Sequence, residues 1–203
     1  MDRKSALVAA ALALAAGGAS AQSIIFTPSG PAMVFTQLFD PDGGVFAAGA
    51  FTNGLQGTLT AGGSGRFSLT YLGQESAFSD GIRIAVGGAQ LTEFNHVGDS
   101  ISAAMTSGTA LSFTFFGSDG TSVTNGQVMS TPDPSWVVLG QNVQTNRGTY
   151  QYVLGYNDSA HHDDWDDFVV GVNVAPVPEP QTYALLLAGL GVVGFVARRR
   201  QAR

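Results

Sequence analysis

The chain has 203 residues, of which 27 are glycine, none is cysteine and only 12% are charged. Glycine at about twice its usual frequency favours turns and strands over a helix bundle, and the lack of cysteine excludes disulfides and thiol chemistry. The formal net charge is −6, but residues 22–180 alone hold 3 basic and 14 acidic residues, a net of −11. Such a body repels phosphate backbones, so we expect no nucleic-acid partner.

The beginning of the chain is typical of a secretory signal peptide. Arg3 and Lys4 precede the apolar residues 5–16, and Ala19–Ala21 fits the small-residue pattern of a signal-peptidase site. The apolar run is shorter than the about 20 residues that a membrane span needs. We therefore predict that residues 1–21 are a signal peptide, that signal peptidase removes them and that the body is exported.

The other end of the chain carries a second signal in three parts. A proline-rich linker over 175–182 contains the motif residues Val177, Pro178, Glu179 and Pro180. An uncharged apolar stretch follows, and it ends at the basic residues Arg198, Arg199 and Arg200. We predict a single membrane helix with a basic tail over 183–203, although the stretch is short for the ~30 Å hydrocarbon core. The arginines should remain cytoplasmic, which leaves the body outside.

The order of this proline–glutamate–proline motif, apolar helix and arginine cluster resembles the PEP-CTERM sorting signal of Gram-negative bacteria. The resemblance implies that an exosortase in the inner membrane recognises the signal and removes the tail. It also implies a transient inner-membrane intermediate, and then a cell-surface or extracellular location, often alongside exopolysaccharide. An ordinary tail anchor is the alternative. The resemblance covers only this end of the chain and leaves the function of the body open.

The body, residues 22–174, shows the period-two alternation of β-strands far more than helical spacing. Apolar and polar residues alternate in the segments 66–71, 111–115, 150–156 and 168–174. Aspartate–glycine and asparagine–glycine pairs indicate turns, and they begin at Asp42, Asn53, Asp80, Asp119 and Asn125. These patterns predict an all-β fold, an antiparallel β-sandwich of jelly-roll type, with a β-barrel as the alternative.

Two stretches of the body resemble segments of other secreted bacterial proteins. Residues 66–82 are similar to a segment common in bodies that carry this sorting signal. Residues 156–172 are similar to an acidic stretch of secreted β-sandwich domains, although Trp165 and Asp166 stand where phenylalanine and asparagine are usual. These resemblances support the architecture and imply little about chemistry.

Five aspartates fall within ten residues of the second stretch, namely Asp158, Asp163, Asp164, Asp166 and Asp167. Like charges crowded together disfavour their own ionised forms, and a Ca²⁺ ion with six to eight oxygen ligands would relieve that cost. In a regular strand, Asp164 and Asp166 would face one side, and Asp163 and Asp167 the other. One ion could then use both pairs only if the segment forms a loop or a bulge.

Two alternatives to a calcium site stay open for this acidic stretch. One is a solvated loop whose aspartates cap turns. The other is a transition-metal site on His161 and His162, although neighbouring residues of a strand point to opposite faces.

No nucleophile-and-base motif is present, so we expect a structural or extracellular-matrix protein rather than an enzyme. The alternative is a calcium-dependent carbohydrate-binding module, in which Trp165 and Trp136 would stack on sugar rings. A secreted hydrolase is the less favoured alternative.

Overall fold

The structure is a computed structural model that describes residues 22–76, 79–85, 88–130, 134–158, 163–175, 187–193 and Arg198. Within it, Gln22–Ala175 forms one compact unit. The predicted signal peptide lies outside the described residues, as do Val177, Pro178, Glu179, Pro180, Arg199, Arg200, His161 and His162.

The body is built from antiparallel strands that form two sheets. The larger sheet has the order β1-β2-β9-β10-β11-β3-β6, and the smaller sheet has the order β5-β4-β7-β8. The strands are β1 Ile24–Val34, β2 Asn53–Ala61, β3 Gly65–Gly73, β4 Gly81–Ile84, β5 Gln90–Thr92, β6 Ser100–Met105, β7 Phe113–Phe116, β8 Ser122–Thr124, β9 Ser135–Thr145, β10 Gly148–Asn157 and β11 Phe168–Ala175. The predicted all-β class and antiparallel sandwich are confirmed.

The main core lies between the two sheets. Alternate residues of β3 and β7 are fully buried in it, namely Phe67, Leu69, Phe113 and Phe115. Phe115 of the smaller sheet stacks on Tyr156 of the larger sheet, with ring centroids 5.2 Å apart. Burying each of these side chains contributes about 1.5–3 kcal/mol to folding. The period-two alternation in the sequence therefore corresponds to inward-facing positions of this sandwich.

A second core covers the opposite face of the larger sheet. Val137, Val153 and Val169 lie in it, whereas the residues that follow each of them lie in the main core. The long segment between β1 and β2 supplies the cover, with the aromatic rings of Phe35, Phe39, Phe46 and Phe51. Phe39 and Phe51 meet edge to face at 5.1 Å between centroids. The central strands are thus buried on both faces, which explains their continuous apolar runs.

Two of the five turn predictions are wrong. The pairs that begin at Asp42, Asp119 and Asn125 lie in or beside turns, but Gly54 lies in β2 and Gly81 begins β4. A Cβ atom at Gly54 would collide with the side chain of Val137 on the neighbouring strand. This glycine therefore permits close packing of two strands instead of forming a turn.

Near the end of the chain, residues 187–193 are helical and exposed. No helix in the described part of the chain combines the length and the apolar character that a membrane crossing requires. The membrane helix predicted over 183–203 is described only over these seven residues and at Arg198, so it stays a prediction.

Candidate functional site

The acidic residues gather at one end of the sandwich because three neighbouring strands meet there. Asp158 follows β10, Asp163–Asp167 leads into β11, and Glu75 lies just beyond β3. Strands β10, β11 and β3 are neighbours in the larger sheet and run antiparallel. The last residues of β10, the first residues of β11 and the last residues of β3 therefore lie at the same end of the sheet. Asp80, which precedes β4, belongs to the same group. We call this region the acidic end.

The first part of the acidic end is the Glu75 cluster, which consists of Glu75, Asp164 and Asp166. One carboxylate oxygen from each residue lies within 4.8 Å of the other two. Asp166 is completely buried and Asp164 is 2% exposed, whereas Glu75 lies at the surface. The cluster therefore has a buried floor and one side open to solvent.

Main-chain hydrogen bonds hold the loop that carries this cluster. The amide of Asp40 donates to Asp166 Oδ2 at 2.6 Å, and the amide of Glu75 donates to the carbonyl oxygen of Asp166 at 3.0 Å. The amide of Thr36 donates to the carbonyl oxygen of Asp163 at 2.8 Å. The main chain of Asp163 and both the main chain and the side chain of Asp166 are thus held by hydrogen bonds to other segments of the body.

The second part of the acidic end is the Asp80 cluster, which consists of Asp80, Asp158 and Asp167. All three side chains are buried. Asp167 Oδ2 accepts the amide of Asp158 at 2.8 Å, and the Ser76 hydroxyl donates to Asp158 Oδ2 at 3.0 Å. The Asp80 carboxyl group lies within hydrogen-bonding reach of the Ser76 hydroxyl and of the Asp158 carboxyl group. Four of the five predicted calcium ligands are therefore divided between two clusters, and Asp163 belongs to neither.

Burial dominates the electrostatics of both clusters. Loss of solvation raises the pKa of Asp80 to about 8, with a further contribution from the charge of Asp158. Burial likewise raises the pKa of Asp167 to about 9 and the pKa of Asp166 to about 7, and it also raises the pKa of Asp164. These shifts have the sign expected of carboxylates that are crowded and removed from water.

Arg66 and Arg83 of the body contact residues outside the two acidic clusters. Arg66 donates to the hydroxyl of Ser102 at 2.8 Å, and the Arg83 guanidinium lies over the ring of Phe116 at 5.3 Å. Within the described ranges, the ion pair found is His96 with Asp99, at 3.9 Å on the surface. The buried aspartates of the two clusters are therefore not neutralised by a described basic side chain.

Both tryptophans predicted to stack on a ligand lie in the interior, each 1% exposed. Trp165 donates its ring N–H to the hydroxyl of Ser135 at 2.8 Å and stacks on Phe35 at 5.0 Å between centroids. Trp136 packs edge to face on Phe113 in the main core. A sugar ring needs an exposed aromatic face, so the assignment of Trp165 and Trp136 as stacking residues is corrected: both are core residues.

The local backbone explains how the aspartates are sorted. Trp165 has a positive φ of 54°, which interrupts the extended conformation and makes this segment a loop. Asp164 and Asp166 still meet in one cluster, while Asp167 turns toward Asp158. The predicted five-aspartate site is thus divided, and strand alternation alone does not describe it.

Glu75 and Asp80 are the site residues that the sequence reasoning missed. Both lie in residues 66–82, one of the two stretches noted for resemblance, and the aspartates lie in the other stretch, 156–172. The sequence offered only a weak signal for them: Glu75 is a single acidic residue after β3, and Asp80 is a single acidic residue before β4. The structure brings the two stretches together at the acidic end.

Comparison with known proteins gives one match. The family model described as the PEP-CTERM protein-sorting motif matches residues 176–200. The match contains the motif residues Val177–Pro180 and the arginines at 198–200. No curated protein and no solved structure matches the chain. The chain therefore carries a PEP-CTERM sorting motif at its end, and this motif implies export across the membrane toward the cell surface and processing by an exosortase.

Proposed function

We propose that the body acts at the cell surface or in the extracellular matrix as a structural or interaction protein, after both ends of the chain have been removed. The observation that carries this proposal is that the sorting motif begins at residue 176, directly after the compact unit Gln22–Ala175. Cleavage in the motif would release a folded domain without cutting through a strand. Signal peptidase and an exosortase are the processing partners, with the inner membrane as a transient location.

The packing of the body supports the proposed structural role. An exported domain without cysteine has no disulfides, so its stability must come from packing and from bound ligands. The body provides two apolar cores, one on each face of the larger sheet. We infer a stable, non-catalytic module that associates with surface polysaccharide, and we attribute no enzymatic activity to it.

The carbohydrate-binding alternative is weaker than the sequence indicated. Its aromatic platform was to be Trp165 and Trp136, and both indoles are buried. What remains in its favour is the acidic end, which could bridge to a polysaccharide through a cation. A sugar site on this body would have to use other residues.

Intact mass spectrometry of the mature protein tests the processing step. In the wild-type host we expect a chain that lacks residues 1–21 and the basic tail, and in a host without the exosortase we expect a chain that retains the tail. Glu179→Ala should also retain the tail, whereas Gln181→Ala, next to the motif, should be processed normally. A wild-type protein that keeps Arg198 and the residues after it would overturn the proposal.

Fractionation of the processed body tests its place of action. We expect most of the protein in the cell-surface and polysaccharide fractions of the host culture, and we expect the purified body to sediment with that polysaccharide. A correctly processed body that stays free in the medium and does not sediment would contradict a surface or matrix role, while leaving the sorting step intact.

A further inference from the structure

From the geometry of the acidic end we infer that Glu75, Asp164 and Asp166 bind one Ca²⁺ ion. This inference is independent of where the protein is finally displayed. It rests on two separate observations, the convergence of three carboxylates and the state of the buried oxygens between them.

The convergence matches the size of a calcium coordination shell. Calcium–oxygen distances are about 2.3–2.6 Å, so two ligands of one ion lie at most about 5 Å apart. One oxygen each from Glu75, Asp164 and Asp166 satisfies this limit, since all lie within 4.8 Å of one another. Among the described residues, this is the group of three potential ligand side chains whose oxygens all lie within 4.8 Å of one another.

The buried oxygens provide the second observation. Asp166 Oδ2 accepts the amide of Asp40, whereas no amide, hydroxyl or basic group among the described residues donates to Asp166 Oδ1 or Asp164 Oδ1. The two carboxyl groups lie within hydrogen-bonding reach of each other, where they repel when both are ionised. Asp166 is 0% and Asp164 is 2% exposed. A buried carboxylate oxygen without a partner costs free energy, because its interaction with water is lost and nothing replaces it. A cation between these side chains would supply the missing partner.

The chemistry of the site favours calcium over other metals. The three ligands are carboxylates, which suit hard cations, whereas zinc and copper prefer nitrogen or sulfur ligands. Mg²⁺ requires near-ideal octahedral geometry, and Ca²⁺ accepts irregular sets of six to eight oxygens. The exposed position of Glu75 leaves an entry path on one side, where water can complete the shell.

The Asp80 cluster serves as a built-in comparison. It lies at the same end and also holds three acidic residues, but among the described residues the group of three carboxylates that converges within 4.8 Å is Glu75, Asp164 and Asp166. The ion is therefore placed in the Glu75 cluster, and a substitution in the Asp80 cluster is a matched control for buried charge.

The experiment is thermal unfolding of the mature secreted protein with calcium chloride, with magnesium chloride and with chelator, at constant ionic strength set by potassium chloride. For the wild type we expect Tm to rise steadily with the logarithm of millimolar calcium, as linkage requires of a ligand that binds the folded state. Magnesium should give a clearly smaller rise. An unchanged Tm in calcium, or an equal rise in magnesium, would overturn the inference.

Isosteric variants locate the ion. The double variant Asp164→Asn with Asp166→Asn should lose the calcium-dependent rise, and Asp80→Asn should keep it. If the double variant does not fold, Glu75→Gln at the surface provides the test, with an expected reduction of calcium affinity by about tenfold or more. Calorimetric titration with calcium chloride should give one site per chain. Loss of binding in Asp80→Asn, or undiminished binding in the Glu75 and Asp164–Asp166 variants, would overturn this placement.

Discussion

The side-chain amide of Asn125 binds both main-chain groups of Leu59. Asn125 Oδ1 accepts the amide of Leu59 at 2.9 Å, and its Nδ2 donates to the carbonyl oxygen of Leu59 at 2.8 Å. The same Nδ2 donates to the carbonyl oxygen of Leu111 at 2.8 Å. Leu59 lies in β2 of the larger sheet, and Asn125 directly follows β8 of the smaller sheet. One buried side chain thus joins the two layers.

We expect Asn125→Ala to lower the free energy of unfolding by about 2–4 kcal/mol, because the amide of Leu59 and the carbonyl oxygen of Leu111 lose their bonds to this side chain. The carbonyl oxygen of Leu59 keeps the amide of Leu111 as a donor at 2.9 Å. Asn125→Asp should cost as much or more, since it loses both donated bonds and buries a charge. Asn53→Ala is the control, because Asn53 is exposed and its side-chain amide donates a long bond, 3.4 Å, to the neighbouring Thr52 hydroxyl. Urea unfolding measures the difference, and equal losses for Asn125 and Asn53 would contradict the role of this contact.

The alternating segments of the sequence were sufficient to predict the sandwich. In β3 and β11 the alternation follows directly from side chains that point alternately into and away from the main core, as at Phe67 and Leu69. The second core was not predictable in this way. Its cover over residues 35–52 is irregular, so its aromatic residues show no periodicity, although they pack as closely as those of a strand.

We expect Phe39→Ala to destabilise the body by about 3–5 kcal/mol, as truncation of a buried phenylalanine usually does. Phe39 is completely buried and contacts the rings of Phe35, Phe46 and Phe51. Phe94→Ala is the matched control, because Phe94 is 82% exposed, and it should change stability by less than about 0.5 kcal/mol. Chemical denaturation followed by circular dichroism compares them. A loss at Phe39 no larger than the loss at Phe94 would show that the second core does not contribute.

The acidic site was only partly predictable, for a physical reason. Residues close in sequence, such as Asp164 and Asp166, could be identified by their density. Glu75 and Asp80 lie in the segment between β3 and β4, far from the aspartates in sequence, and nothing local marks them as their neighbours. Their meeting depends on the order β10-β11-β3 in the larger sheet, and one sequence does not specify strand order.

The two tryptophans provide a spectroscopic test of the interior. Because Trp136 and Trp165 are each 1% exposed, the folded protein should show blue-shifted emission and resist quenching by iodide. In the single-tryptophan variants Trp136→Phe and Trp165→Phe, the quenching constant should be several-fold lower in the folded state than in urea. If the tryptophan that remains in Trp136→Phe were quenched as easily in the folded state as in urea, Trp165 would be exposed after all.

Gly155 tests how the loop over residues 163–167, which we call the acidic loop, packs against the larger sheet. A Cβ atom at this position of β10 would collide with the carbonyl oxygen of Trp165. We expect Gly155→Ala to cost about 1–3 kcal/mol through this overpacking and to displace the loop, so that Trp165 emission shifts to the red and calcium binding to the Glu75 cluster weakens. Gly108→Ala is the control, because Gly108 has a positive φ of 78° with open space around its Cβ position.

The control variant Gly108→Ala carries only the strain of a left-handed backbone conformation, about 1–2 kcal/mol. It should leave both the emission of Trp165 and the calcium titration unchanged. Fluorescence and calorimetry on the two variants separate a general loss of stability from a displaced loop. A Gly155→Ala protein with wild-type emission and wild-type calcium affinity would show that the contact between β10 and Trp165 does not position the acidic loop.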